Sequence, residues 1–69
     1  MIIQQDVVSS AIEHVAYDTD TRILRITFTN GGTYDYPDVP EEEYHRLVTA
    51  QSVGVYYNKS IRPLYRNKK

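Results

Sequence analysis

Few side chains in this 69-residue chain could do chemistry unaided. Cysteine is absent, which excludes disulfides and thiolate metal sites. The two histidines, His14 and His45, are too few to supply a zinc site. His14 falls in a segment of alternating character and His45 on the polar side of a predicted helix, so we expect both at the surface. The sequence therefore predicts no metal and no cofactor.

Two further motifs resemble catalytic ones but have simpler explanations. Ser52 precedes Gly54 without the earlier glycine of a hydrolase nucleophile elbow, and it is well placed to cap a helix. Glu41, Glu42 and Glu43 are consecutive, so on a helix they point in different directions and cannot act as one cluster. They suit the positive end of a helix dipole. We expect a protein that is not an enzyme.

The chemistry that remains is binding, for which the chain offers tyrosines and cations. Single-stranded nucleic acid stacks on aromatic rings beside cationic grooves, and the chain has seven tyrosines. Tyrosine also fills the core of a shallow domain while its hydroxyl reaches the edge, which is the better explanation for most of the seven. The residues predicted to bind nucleic acid or another anionic partner are Tyr57, Lys59, Arg62, Tyr65, Arg66, Lys68 and Lys69.

Charge is divided along the chain although the net charge is only −1. All nine acidic residues and two arginines lie in residues 1–43, whereas residues 44–69 carry six cations and no acid. A basic segment at the carboxyl end suits single-stranded RNA or tRNA, but a pI near 6.0 predicts weak, salt-sensitive binding. The alternative is a protein partner that matches the two charged halves, or that adds a strand to an exposed sheet edge.

Period-two apolar patterns predict three strands, over about 10–17, 22–29 and 33–36. In the second, Leu24, Ile26 and Phe28 share one face. The short polar side chains of residues 18–21 predict a turn, and Pro37 should end the third strand. These elements form an antiparallel meander.

The turn at Asn30, Gly31 and Gly32 decides where Tyr34 and Tyr36 point, because a shift of one residue exchanges the faces of a strand. A two-residue turn pairs Phe28 with Thr33 and puts both tyrosines on the open face. A three-residue loop over residues 30–32 pairs Phe28 with Tyr34, and Ile26 with Tyr36. We favour the longer loop, because a domain this small needs both rings in its core.

Two helices are predicted after the strands, over about 39–51 and 53–60, packed on one face of the sheet. Asp38 is the expected cap of the first helix and Ser52 of the second. Leu47 and Val48 lie on one stripe of the first helix and should join Leu24, Ile26 and Phe28 in the core. The predicted fold class is α+β.

The length allows a single domain, with a core over about 8–65 and a basic tail at 66–69. The chain lacks an apolar run that could span a membrane, and residues 1–6 lack the basic and apolar regions of a signal peptide. We expect a cytoplasmic protein, with the monomer as the favoured state.

An ordered series of motifs over residues 8–65 resembles the KTSC domain, named for its occurrence at the carboxyl end of some lysyl-tRNA synthetases. The domain also occurs in stand-alone bacterial and phage proteins. The resemblance implies a small accessory module with no established activity, for which the synthetase context suggests RNA binding. The series is Ser9-Ser10-x-Ile12, Ala16-Tyr17-Asp18, Leu24-x-Ile26-x-Phe28-x-Asn30-Gly31, Tyr34-x-Tyr36, Val39-Pro40, Tyr44, Ala50-x-Ser52-x-Gly54-x-Tyr56-x-Asn58, Ile61-Arg62 and Tyr65.

Overall fold

A computed structural model describes residues 1–65 and has a four-stranded antiparallel sheet with strand order β1-β2-β3-β4. Two helical segments follow and cover one face of the sheet, which confirms the α+β class. The prediction of three strands is wrong, because an additional strand precedes them. The elements are β1 (Ile2–Asp6), β2 (Ile12–Asp18), β3 (Ile23–Phe28), β4 (Thr33–Tyr36), α1 (Glu41–Thr49) and α2 (Val53–Tyr56), which continues as a π-helical segment (Tyr57–Ile61).

Strand β1 escaped prediction because it has no apolar face. It pairs with β2 from Ile2 opposite Asp18 to Asp6 opposite His14, yet most of its side chains are exposed. The His14 ring bonds Asp6 at 2.6 Å and Gln4 at 3.0 Å across the two strands. Backbone ladder bonds, polar side chains and the single half-buried Ile3, which packs against the core, hold this edge strand in place. None of these leaves a periodic signal in a sequence.

A β-bulge in β2 explains an irregular apolar spacing. Ile12 and Val15 are three residues apart but both are fully buried, as is Tyr17 further along. The register shifts between Ile12 and His14, since Ile12 pairs with Phe28 and His14 with Thr27. The extra residue resets the alternation, so that Ile12 points to the same face as Val15.

The β3–β4 hairpin has a three-residue loop, but one residue earlier than predicted. The Phe28 N–H donates to the Gly32 carbonyl at 2.7 Å, and Gly31 has a φ of 97°, which suits glycine. Tyr34 therefore pairs with Ile26 and Tyr36 with Leu24, and the predicted pairs with Phe28 and Ile26 are wrong. Because the shift is two residues, both tyrosines keep the predicted core face.

The first helix begins at Glu41, and Asp38 does not cap it: no side chain caps its amino end. Asp38 has a φ of 60°, a left-handed conformation that aspartate tolerates. The next residue, Val39, is fixed outside the helix because its N–H donates to the Arg22 carbonyl at 3.0 Å and its carbonyl accepts from the Tyr17 hydroxyl at 2.6 Å. Contacts with the sheet therefore override the local capping signal.

The second helical segment begins as predicted and ends in a wider turn. The Val55 N–H donates to Ser52 Oγ at 3.3 Å, so the predicted serine cap is confirmed. After Tyr56 the backbone follows a π-helix, in which the Arg62 N–H donates to the Tyr57 carbonyl at 2.9 Å.

The core lies between the sheet and the helical segments. Leu24, Ile26 and Leu47 are fully buried as predicted, whereas Phe28 and Val48 are half-buried and pack against the core. The other buried apolar side chains among the described residues lie in β2, β4, the connection before α1, and the helical segments: Ile12, Val15, Tyr17, Tyr36, Val39, Tyr44, Val53 and Ile61.

The two tyrosines of β4 should differ in their effect on stability. Tyr36 is 4% exposed, so Tyr36→Ala should lower the free energy of unfolding by about 3–5 kcal/mol, as for other large buried side chains. Tyr34 is half-buried, so Tyr34→Ala should cost about 1–2 kcal/mol. Urea titrations followed by circular dichroism measure both, with exposed Thr33→Ala as the control. Equal losses for the two tyrosines would contradict the difference in their burial.

Candidate functional site

Tyr57, one of the predicted stacking residues, belongs to an aromatic seam between the π-helical segment and the sheet. The seam comprises Phe28, Tyr34, Tyr36 and Tyr57. The Tyr57 ring lies edge-on at 5.3 Å from Phe28 and at 6.0 Å from Tyr36, and its hydroxyl forms a 2.6 Å bond with the Tyr36 hydroxyl. Tyr57 thus holds the helical segment on the sheet.

Tyr65, the other predicted stacking residue, lies near a buried carboxylate. Glu43 is only 8% exposed, and its Oε1 accepts a 2.5 Å hydrogen bond from the Tyr56 hydroxyl. Burial raises the pKa of the half-buried Tyr65, and the nearby Glu43 charge raises it further. This buried position of Glu43 was not predicted from the sequence, which indicated only an interaction with the helix dipole. Its position four residues before buried Leu47 is the signal that could have identified it as inward-facing.

The predicted cations fall into different surroundings. Lys59 and Arg62 are both exposed and form no ion pair within residues 1–65. Lys59 lines a shallow groove beside Tyr56 and Ser60, whereas Arg62 lies near enough to the Tyr36 phenol to oppose the rise in its pKa. Arg66, Lys68 and Lys69 lie outside the described residues.

Two of the other cations that the structure describes are neutralised locally. Arg25 forms a bidentate pair with Asp35 on the open face of the sheet, at 2.7 and 3.1 Å. Arg46 lies 3.6 Å from Glu42, one turn earlier on α1. Among the side-chain cations that the structure describes, Lys59 and Arg62 share their unpaired state only with Arg22, which is in the β2–β3 turn.

Both histidines have ordinary surface surroundings. The His45 Nε2 lies 3.0 Å from the Glu41 carboxylate, and His14 has the partners on β1 given above. Within residues 1–65, no group of three histidine, aspartate or glutamate side chains could hold a metal ion. In that same part of the chain, no helix is both long and apolar enough to cross a membrane.

A second concave surface, here called the neutral groove, was not anticipated from the sequence. It lies between the β1–β2 connection and α2, has a volume of about 290 Å³, and has no charged side chain in its lining. Val8 is fully exposed and Val55 is 51% exposed on this surface. The groove is assembled from two segments about 40 residues apart in sequence, so no local pattern marks it. Its lining includes Val8, Ser9, Gln51, Gly54, Val55 and Asn58.

Gly54 lies in the neutral groove, and neither its backbone conformation nor its neighbours require a glycine there. Its φ is not positive, since among the described glycines only Gly31 has a positive φ. A methyl group at Gly54 would lie 3.4 Å from Ser9 Oγ, an ordinary contact distance. Ser9 Oγ is itself held by the Ala11 and Ile12 amides, at 3.2 and 3.3 Å. Neither backbone conformation nor crowding accounts for glycine at this position.

The chain is similar to other proteins over nearly its whole length. A sequence profile of the KTSC domain matches residues 8–65. A protein from Tsukamurella paurometabola is 44% identical over 62 residues, covering 90% of this chain and 92% of that protein. A protein from Stutzerimonas stutzeri is 34% identical over 55 residues, covering 80% and 78%. The crystal structure of a KTSC domain protein from Yersinia pestis superposes with a TM-score of 0.91 at 35% identity, covering 100% of this chain and 97% of that one.

Buried tyrosines should make the protein lose stability in alkali. Burial and the bond with Tyr57 raise the pKa of Tyr36, and burial also raises the pKa of Tyr44, Tyr56 and Tyr65. Because unfolded tyrosine releases its proton near pH 10.0, the unfolded chain binds fewer protons than the folded one above that pH. The free energy of unfolding should therefore be unaffected by these groups below about pH 9 and fall above pH 10. The limiting slope is about 1.4 kcal/mol per pH unit for a tyrosine that stays protonated in the folded protein, as expected for Tyr36.

Urea unfolding at stepped pH values from 8 to about 12 tests this expectation. Tyr36→Phe keeps the ring but removes one titrating hydroxyl, so its loss of stability above pH 10 should be shallower by about 1.4 kcal/mol per pH unit. Parallel pH profiles for the two proteins would show that Tyr36 ionises as easily when folded as when unfolded.

Gly54→Ala should stabilise the protein. Alanine restricts the unfolded chain and favours the helix, and the site has room for its methyl group, so we expect a gain of about 0.5–1 kcal/mol in urea unfolding. Gly31→Ala is the matched control, and it should destabilise because Gly31 has a φ of 97°. A loss of stability in Gly54→Ala would mean that the site is more crowded than described.

Proposed function

The chain belongs to the KTSC domain family, and from this premise we propose that it is a non-enzymatic binding module for an anionic partner, with single-stranded RNA or tRNA as the first candidate. The structural roles of its most reactive groups support a non-enzymatic module. Ser52 caps a helix, Glu43 binds the Tyr56 hydroxyl, and His45 pairs with Glu41.

The observation that most supports an anionic partner is the unpaired state of Lys59 and Arg62. Both side chains are exposed, and no acid within residues 1–65 neutralises them. The chain then leads into Arg66, Lys68 and Lys69, with no acidic residue after Glu43. Phosphates are the complementary ligand for such a series.

The surroundings of the tyrosines favour contact through charge over contact through stacking. The Tyr57 ring is engaged with Phe28 and Tyr36, and Tyr65 lies near the Glu43 carboxylate. Each stacked base typically contributes about 1–3 kcal/mol, so without stacking the complex should be weak and tolerant of sequence. Its affinity should depend steeply on salt.

A titration with a short single-stranded RNA at low salt tests the proposal through backbone amide shifts. We expect shifts concentrated in residues 57–69 and an affinity that falls as salt is raised. The double variant Lys59→Gln/Arg62→Gln should reduce the slope of log affinity against log salt by about 1.4, since each phosphate contact on a single strand contributes about 0.7. Arg22→Gln removes one positive charge from the β2–β3 turn and should leave the binding unchanged.

Two results would contradict an RNA-binding role. One is the absence of shifts in residues 57–69 at high micromolar RNA. The other is an equal effect of Arg22→Gln and of a single Lys59→Gln change, which would reveal only nonspecific attraction to charge.

A protein partner is the second candidate, and the neutral groove favours it. Val8 and Val55 expose apolar surface there, and neither Lys59 nor Arg62 lines this groove. Lys59 lines the adjoining groove, which shares Gln51, Ser52 and Val55 with it. Exposed apolar side chains on a concave surface offer apolar contacts to a partner protein. Either partner suits the role of an accessory factor in a bacterium or phage. We continue to predict that the protein is cytoplasmic and monomeric.

A further inference from the structure

We propose that the neutral groove binds an extended, uncharged segment of a partner protein, with the backbone of that segment passing over Gly54. This inference rests on the second candidate function, a protein partner, and it is independent of RNA binding. Four properties of the groove define the ligand: its charge, its free polar groups, its glycine and its size.

Charge favours a peptide over the nucleic acid considered above. All the residues that line the neutral groove are uncharged, and the nearest cation, Lys59, lines the adjoining groove. A phosphate or a charged peptide side chain that gave up water in the neutral groove would gain no opposite charge from its lining. An uncharged peptide segment avoids this cost.

Free amide groups on the groove match the needs of a peptide backbone. Gln51 and Asn58 line the groove, and their side chains form no hydrogen bond with any residue in 1–65. A carboxamide both donates and accepts hydrogen bonds, as a peptide group does. An extended segment has free backbone groups that two such side chains can satisfy.

Gly54 gives the main chain of the ligand room to approach. A methyl group at this position would lie 3.4 Å from Ser9 Oγ, and glycine is required neither by φ nor by crowding. Glycine commonly permits the close approach of a ligand to a backbone, at some cost in helix stability. Val8 and Val55 lie on the same surface and offer apolar contacts for a small aliphatic side chain of the segment.

Size limits the ligand to a short segment. The volume of about 290 Å³ is at the lower end of the range for small-molecule pockets, roughly 300–1,000 Å³. A few residues of a peptide can be accommodated, so the affinity of an isolated peptide should be modest.

A phage-displayed library of random decapeptides, selected on the immobilised full-length chain, provides the probe. Enriched peptides are then synthesised and titrated against the labelled protein. We expect enriched sequences with no net charge and at least one small aliphatic residue. Amide shifts on binding should centre on Val8, Gly54 and Asn58.

Two groove variants and one control test the site. Val8→Ser changes a fully exposed side chain, so the variant should fold normally and bind at least fivefold more weakly. Gly54→Leu fills the groove and should weaken binding more than tenfold, with thermal melts to confirm folding. Lys59→Gln/Arg62→Gln should leave peptide affinity unchanged.

Three results would overturn the inference, each in a distinguishable way. Peptides that shift amides elsewhere and ignore Val8→Ser would refute the groove but retain a protein partner. Acidic peptides that lose affinity in Lys59→Gln/Arg62→Gln would refute it in favour of anion binding. The library can also be selected in parallel on the Gly54→Leu variant. If no peptide is enriched more on the parent protein than on this variant, both the groove and the peptide ligand are refuted, whatever the outcome of the RNA titration.

Discussion

One-sided burial of the sheet is the constraint on which the rest of this structure depends. The apolar core lies on the helix-covered face, where Val15, Ile26 and Leu47 are fully buried. The other face carries the Arg25–Asp35 pair and the contacts of His14. Tyr17, Tyr36 and Tyr44 supply part of the volume of this small core.

Several tyrosine hydroxyls bond to groups on other elements, and these bonds join the elements together. The Tyr17 hydroxyl reaches the Val39 carbonyl, the Tyr36 hydroxyl reaches Tyr57, and the Tyr56 hydroxyl reaches Glu43. Within the described residues, no buried side-chain polar atom lacks a partner. The aromatic residues therefore have structural roles. Binding is left to groups outside the core: the unpaired cations and the neutral groove.

This division makes the candidate site only partly predictable. Lys59 and Arg62 could be identified from the sequence, because charge balance is visible in composition. Tyr57 was predicted to stack on bases, but whether a ring is free depends on what packs against it, and here Phe28 and Tyr36 do. The neutral groove is formed by two segments that come together only after folding. A local sequence pattern cannot indicate that two distant segments will be neighbours.

The sequence by itself determined the features that arise from local chemistry. These include the α+β class, the β3 pattern, the length of the hairpin loop and the Ser52 cap, because periodicity and capping act within a few residues. Tertiary structure alone decided strand β1, the exact partners of Tyr34 and Tyr36, and the start of α1. Strand β1 has no apolar face and depends on the ladder with β2, while Val39 is held out of the helix by Tyr17 and Arg22. Each of these features is fixed by bonds between residues distant in the chain, and their free energy is absent until the chain has folded.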